Sequence, residues 1–137
     1  MRAIILVAGK GSRLPLHLSK KPKSLIPLSG GKTLIEYQLA NYKKINIKKI
    51  SLITGYKKSL FDRFKVEKFY NKKWNTTNMV SSLISADSWL SKSNCIISYG
   101  DIFFHTGNIK SFLNSKKDIS ILFDVNWKSY WKKRFQN

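Results

Sequence analysis

An α/β domain with a mostly parallel sheet and helices on its faces is what this sequence predicts, on three observations. Apolar runs without polar alternation, "RAIILVA" at 2–8, "KISLITGY" at 49–56 and "NCIISYGDIFF" at 94–104, have the composition of strands buried on both faces. Segments of helical periodicity separate them, so strand and helix alternate along the chain. Each run also meets a glycine where it turns outward, at Gly9, Gly55 and Gly100.

The elements follow in order. After the first strand and its loop comes "GGKTLIEYQLANYKKI", where Thr33 and Glu36 form a capping box and Leu34, Ile35, Leu39 and Tyr42 share one face of a helix. The second strand ends at Gly55. "KSLFDRFKV" reads as a short helix or turn, and "KFYNKKWNTTN" as irregular with a short strand. Residues 78–90 place Met79, Leu83, Ala86 and Leu90 on one helical face, capped by Asn78 or Thr77. The third buried strand carries Asp101 past its glycine. "TGNIKSFLN" is a short helix, "DISILFDV" a fourth strand, and "NWKSYWKKRFQN" a polar helix. No repeat, low-complexity tract or linker interrupts residues 1–137, which are expected to form one domain or part of one.

Apolar residues at 42% and aromatics at 13% exclude disorder. A net charge of +19 asks for an acidic partner: nucleic acid, an anionic membrane or phosphorylated small molecules. Many lysines fall in pairs where elements end, as at Lys43-Lys44, Lys48-Lys49, Lys57-Lys58, Lys72-Lys73 and Lys116-Lys117, a placement that suits helix dipoles and a solvated surface. Cys95 stands alone in an apolar stretch, so it forms no intrachain disulfide and reads as a small buried hydrophobe. The run Ala3 to Ala8 is too short for a signal peptide or a membrane span, so a cytoplasmic protein without membrane contact is expected. His17 and His105 have no carboxylate or cysteine at metal-like spacing and receive no chemistry.

In parallel sheets ligands bind beyond the carboxyl ends of the strands, and the glycine loop after the first strand and Asp101 after the third share that edge. The loop is not a dinucleotide fingerprint, because Leu14 stands at the third glycine position. Nor is it a Walker loop ending at Gly31-Lys32-Thr33, because Ile26 stands at the first glycine. What remains is G-x-G-x-R-L followed by P-K-S-L. The stretch "AIILVAGKGSRL…KKPKSLIPLSGGKTLIEYQL" resembles the opening of nucleotidyltransferases that act on sugar or alcohol phosphates, and "ISLITGY" and "IISYGD" fall where those enzymes carry their next strand motifs. "TTNMVSSL" and "LFDVNWKSYWKKRF" resemble the branch related to phosphocholine cytidylyltransferase, and the likeness runs the length of the chain.

The resemblance implies a Rossmann-like three-layer sandwich of the nucleotide-diphospho-sugar transferase type. It implies a Mg²⁺-dependent transfer from a nucleoside triphosphate, CTP favoured, to a phosphorylated small molecule such as choline phosphate or a sugar 1-phosphate, with release of pyrophosphate. Such a reaction brings two anions together, so positioning and charge neutralisation carry it. Each unit charge held near 4 Å is worth about 4 kcal/mol at an effective dielectric near 20. By the resemblance, Ala8, Gly9, Gly11 and Ser12 form the nucleotide loop. Arg13 grips the β- and γ-phosphates. Lys23 reaches the α-phosphate and the incoming phosphate. Asp101 binds Mg²⁺, and Asn78, beside Thr77, approaches the base.

Simpler roles stand beside these. Gly9 and Gly11 could only form a turn, Asp101 could cap one, and Asn78 could only cap its helix. Asp124 reads as a solvated strand end, and Trp127, Tyr130 and Trp131 as a packing face more than a choline cage. The chain departs from the family in two ways. Pro15 follows Arg13-Leu14 directly, with Leu18 where threonine often stands, and the chain stops at Asn137, before the part that supplies further substrate contacts and a second metal-binding aspartate. A nucleotide-binding part of a larger domain is therefore expected. A basic module binding nucleic acid without catalysis is the reading from another class, and an inactive fragment a third. Scattered cations and the absence of a nucleic-acid motif favour the nucleotide.

Overall fold

Unbroken apolar runs build the centre of the sheet. In the computed structural model, which describes residues 1–12 and 20–135, Arg2–Val7 (β1) and Ile50–Thr54 (β2) pair in parallel from Ala3↔Ile50 to Val7↔Thr54. Glu67–Tyr70 (β3) adds outside β2 and Cys95–Tyr99 (β4) outside β1, both parallel, giving the order β3-β2-β1-β4. Ala3, Ile4, Ile5, Leu52 and Ile53 are wholly buried. β3 is the short strand expected within the irregular stretch.

Helices cover both faces, as the three-layer expectation requires. Leu34–Lys44 (α1) starts at Thr33, whose hydroxyl accepts from Glu36 N while Glu36 Oε2 accepts from Thr33 N at 2.8 Å, the capping box read from the sequence. That donated N–H holds the Glu36 carboxyl below its usual value. Gln38 of α1 reaches Ser98, which shares a sheet face with Ile5. On the other face, Met79–Ile84 (α2) and Asp87–Leu90 (α3) pack with Ile4, Ile53 and Phe69 through Leu83, Ala86 and Trp89.

Two expectations need correction within this layer. The single helix at 78–90 is two short ones, broken at Ser85-Ala86, so Ser82 and Trp89 are buried while Met79 is 51% exposed. β4 is not buried on both faces: α2 and α3 lie toward the β1 side, and Ile97 and Tyr99 are each 45% exposed on the edge strand.

The chain divides into two compact units, Met1–Thr106 and Gly107–Asn137. The second holds nearly all of Thr106–Leu113 (α4) and, after a segment without helix or strand, Trp127–Arg134 (α5). The fourth strand expected at 118–125 does not form; Ile119, Ile121, Phe123 and Val125 are 72–83% exposed. A period-of-two pattern makes a strand only when a neighbour accepts its backbone hydrogen bonds, and among the described residues of this unit there is no strand. Asp124, read as a strand end, instead accepts from Asn126 N at 2.8 Å in a turn. Trp127, Tyr130 and Trp131 form no buried packing face, each being more than half exposed, although Trp131 meets Phe135 at 5.1 Å. Among the described residues, no helix is long and apolar enough to cross a membrane.

Candidate functional site

Because all four strands run the same way, their carboxyl ends collect the loops that matter. β1 leaves the core through Ala8, which is buried and accepts from Tyr56 N at 2.9 Å. Gly9 and Ser12 are exposed, the space beside Gly9 is open, and Gly11 adopts φ +71°, the left-handed region that suits glycine. Arg13 lies outside the described residues, as do Pro15, His17 and Leu18.

The chain returns at Lys20. Pro22 and Leu25 are buried and anchor a 3-10 turn over Lys23–Leu25, closed by Leu25 N donating to Pro22 O at 2.9 Å. The anchored turn leaves the Lys23 side chain half-exposed, and its Nζ donates to Asp101 Oδ2 at 2.8 Å. Seventy-eight positions separate these residues in sequence, so the fold alone joins them. Gly100 makes the approach possible. Its N–H donates to Leu6 O at 2.9 Å, and a Cβ there would collide with Val7 Cγ1 and lie 3.3 Å from Ser24 Cβ. Asp101 and the loop after β1 therefore share one edge, as the sequence reading expected, and Lys23 joins them there.

Asn78 sits at the start of α2. Its Oδ1 accepts from Val80 N and Ser81 N, each at 3.0 Å, which is a helix cap, and its Nδ2 has no partner among the described residues. Thr77 belongs to a buried network around Asn71, whose Nδ2 donates to Thr77 Oγ1 and Ser82 Oγ, both at 2.9 Å. No group of three metal-ligating side chains occurs among the described residues. The half-exposed Asp101 carboxylate beside the glycine loop is a hard oxygen donor of the kind a divalent cation such as Mg²⁺ accepts.

Several residues at this edge escaped the sequence reading. Gln38 of α1, 1% exposed, donates to Tyr99 O at 2.8 Å and Ile102 O at 2.7 Å and accepts from Ser98 Oγ at 3.0 Å. Asn41, one turn on, donates to Phe104 O at 2.7 Å. The signal was available: Gln38 stands three residues after Ile35 and four before Tyr42, a polar residue on the apolar stripe. Burial pushes the Tyr42 phenol up from its ordinary value. Beside Ala8, the Tyr56 ring packs on Trp74 at 5.4 Å and carries Lys10 and Lys57 Nζ at 5.9 and 5.5 Å.

Comparison with known proteins agrees with this architecture. The chain is 33% identical over its whole length to CTP:phosphoglutamine cytidylyltransferase of Campylobacter jejuni, of which it covers 58%. It is 38% identical over 70% of its length to choline-phosphate cytidylyltransferase of Streptococcus pneumoniae, covering 43% of that protein. The solved structure of CTP:phosphocholine cytidylyltransferase from Streptococcus pneumoniae superposes with a TM-score of 0.67 at 32% identity, over 77% of this chain and 49% of that one. The chain thus spans about half the length of the relatives it matches. Residues 3–122 match the family described as the MobA-like NTP transferase domain, and the chain belongs to that family.

Proposed function

We propose that this chain is the nucleotide-binding part of a Mg²⁺-dependent cytidylyltransferase that couples CTP to a phosphorylated small molecule. The observation that carries the reading is the Lys23–Asp101 pair, brought together beside the glycine loop at the carboxyl edge. An exposed ion pair contributes at most about 1 kcal/mol, so a triphosphate can draw the ammonium away at little cost. Lys23 then faces the α-phosphate and the acceptor phosphate, while Asp101 is freed for the metal. Asp101 would hold Mg²⁺, which when bound would supply charge neutralisation on the triphosphate. The N–H groups around Gly9, Gly11 and Ser12 meet the phosphate chain with Ala8 as the fixed base of the loop. In this reading Arg13 grips the terminal phosphates and Asn78 Nδ2 donates to the base.

In the transfer, an oxygen of the acceptor phosphate forms a bond to the α-phosphorus. The bond from that phosphorus to the bridging oxygen breaks, and pyrophosphate leaves with the electron pair. No side-chain nucleophile is required, because the acceptor already carries one. CTP is favoured because the two curated relatives described above are cytidylyltransferases, and their acceptors, phosphoglutamine and choline phosphate, suggest a small phosphorylated compound bearing a nitrogen group. A sugar 1-phosphate is the other acceptor this reading admits.

Calorimetric titration with CTP, UTP and ATP, with and without Mg²⁺, tests the reading. CTP is expected to bind tightest, and to bind more tightly with the metal than without it. Lys23→Ala should weaken binding about ten- to a hundredfold, the range for a hydrogen bond to a charged group. Asp101→Ala should remove the metal dependence. Parent-like binding by both variants sinks the assignment.

A further inference from the structure

We infer that Gln38 is a positioning residue that fixes Asp101 from below the sheet edge, a reading that rests on Asp101 being the site carboxylate. Past Tyr99 the loop has left the ladder between β4 and β1; its last backbone tie to the sheet is Gly100 N to Leu6 O, at 2.9 Å. Beyond that point α1 takes over as the neighbour. Gln38 Nε2 donates to the carbonyls of Tyr99 and Ile102, at 2.8 and 2.7 Å, and these two residues bracket Gly100-Asp101. Asn41 donates to Phe104 O at 2.7 Å, and Tyr37 meets Phe103 edge-on at 5.7 Å. The loop is thus tied to one face of α1 on both sides of Asp101, whose own side chain turns out to Lys23.

An aliphatic residue at position 38 would serve the core equally well, since a buried amide is costly unless every polar atom is matched. Here each one is: two donors on two carbonyls, and Oε1 on the Ser98 hydroxyl at 3.0 Å. What the amide adds, and a leucine or methionine cannot, is a fixed path for the chain on either side of the carboxylate. A carboxylate held in place offers its oxygens to a cation without first losing conformational freedom.

The test uses the whole chain with Mn²⁺ as probe, followed by its electron paramagnetic resonance signal in the presence of CTP. CTP binding without metal and amide hydrogen exchange are followed in parallel. Gln38→Met keeps length and volume but removes both donated bonds. Mn²⁺ binding should weaken about tenfold, the worth of two ordinary hydrogen bonds, with faster exchange at 100–104 and metal-free CTP affinity within about twofold. Gln38→Met with Ser98→Ala, which also removes the stranded hydroxyl, should behave alike and unfold cooperatively even where the single variant does not. Asp101→Ala is the reference. If Asp101→Ala abolishes Mn²⁺ binding and the Gln38 variants bind it normally, the inference falls and the site reading stands. Unchanged Mn²⁺ binding in Asp101→Ala removes both. Equal losses of Mn²⁺ and metal-free CTP in the Gln38 variants mean a general structural role, which also overturns it.

Discussion

The two ends of the sheet both gather cations, but only one end organises them. At the amino edge, Arg2, Lys48, Lys49 and Lys65 line a cleft of about 380 Å³ with Glu67 and Trp89. Arg2 lies 5.0 Å over the Trp89 ring, and among the described residues no ion pair ties any of these cations down. At the carboxyl edge, Lys23 is anchored by the buried Pro22 and Leu25, Asp101 answers it, Gly100 permits the approach, and Gln38 holds the loop from behind. Four cations without carboxylate partners among the described residues raise the local potential and attract any anion, an effect that salt screens. One fixed cation opposite one fixed carboxylate can select for shape. What separates a binding site from a charged surface is therefore the neutral, buried scaffolding beneath it.

The largest expected effect comes from breaking that scaffolding at its tightest point. Gly100→Ala drives a methyl against Val7 Cγ1 and Leu6 O, so it should cost about 1–3 kcal/mol of stability. It should also separate Lys23 from Asp101, read as lost metal-dependent CTP binding even where the protein remains folded. Full retention of both would make the carboxyl edge as loose as the amino one. Next in size is the helix that carries Gln38. Thr33→Ala deletes the cap of α1 and should lower stability by about 1 kcal/mol in denaturant unfolding.

A smaller, pH-dependent effect sharpens the same point. With its carboxyl held below the usual range by Thr33 N–H, Glu36 takes up a proton less readily in the folded than in the unfolded chain. Its contribution is complete above about pH 4.3 and disappears as pH falls through the lowered folded value. Glu36→Gln keeps an acceptor for the cap, so stability near neutrality should change by about 0.5 kcal/mol or less while this part of the acid slope vanishes. Smallest of all should be the response of CTP to the amino edge. Lys48→Glu with Lys49→Glu should leave Mg-dependent CTP affinity within about twofold, yet weaken salt-sensitive binding to duplex DNA or heparin. A large loss of CTP affinity in that variant would erase the contrast between the edges.

Local signals carried the sequence reading furthest. The capping box, β1, β2 and the glycine exits depend on residues a few positions apart, and they formed where the pattern placed them. That Asp101 and the loop after β1 share one edge was legible, because each follows a strand of a parallel sheet; the Lys23–Asp101 ion pair itself was not. What depends on neighbours far along the chain was not visible. Whether Ile97 and Tyr99 are covered is decided by where α2 and α3 settle, not by β4 itself. In sequence Gln38 is only a polar residue on an apolar stripe, because its partners, the carbonyls of Tyr99 and Ile102, lie 61 and 64 positions away. Asn78 kept two readings, because an oxygen that caps a helix leaves its amide nitrogen available.

The stretch from Ile119 to Val125 has a cost of its own. It is rich in β-branched and aromatic side chains, lacks proline, has a single charge at Asp124 and stands open. Seven such residues match the length and chemistry from which cross-β fibrils are seeded. Concentrated solutions of the chain in this form should therefore gelate or bind amyloid dyes, and a lysine at Ile121 should act as a gatekeeper that delays it.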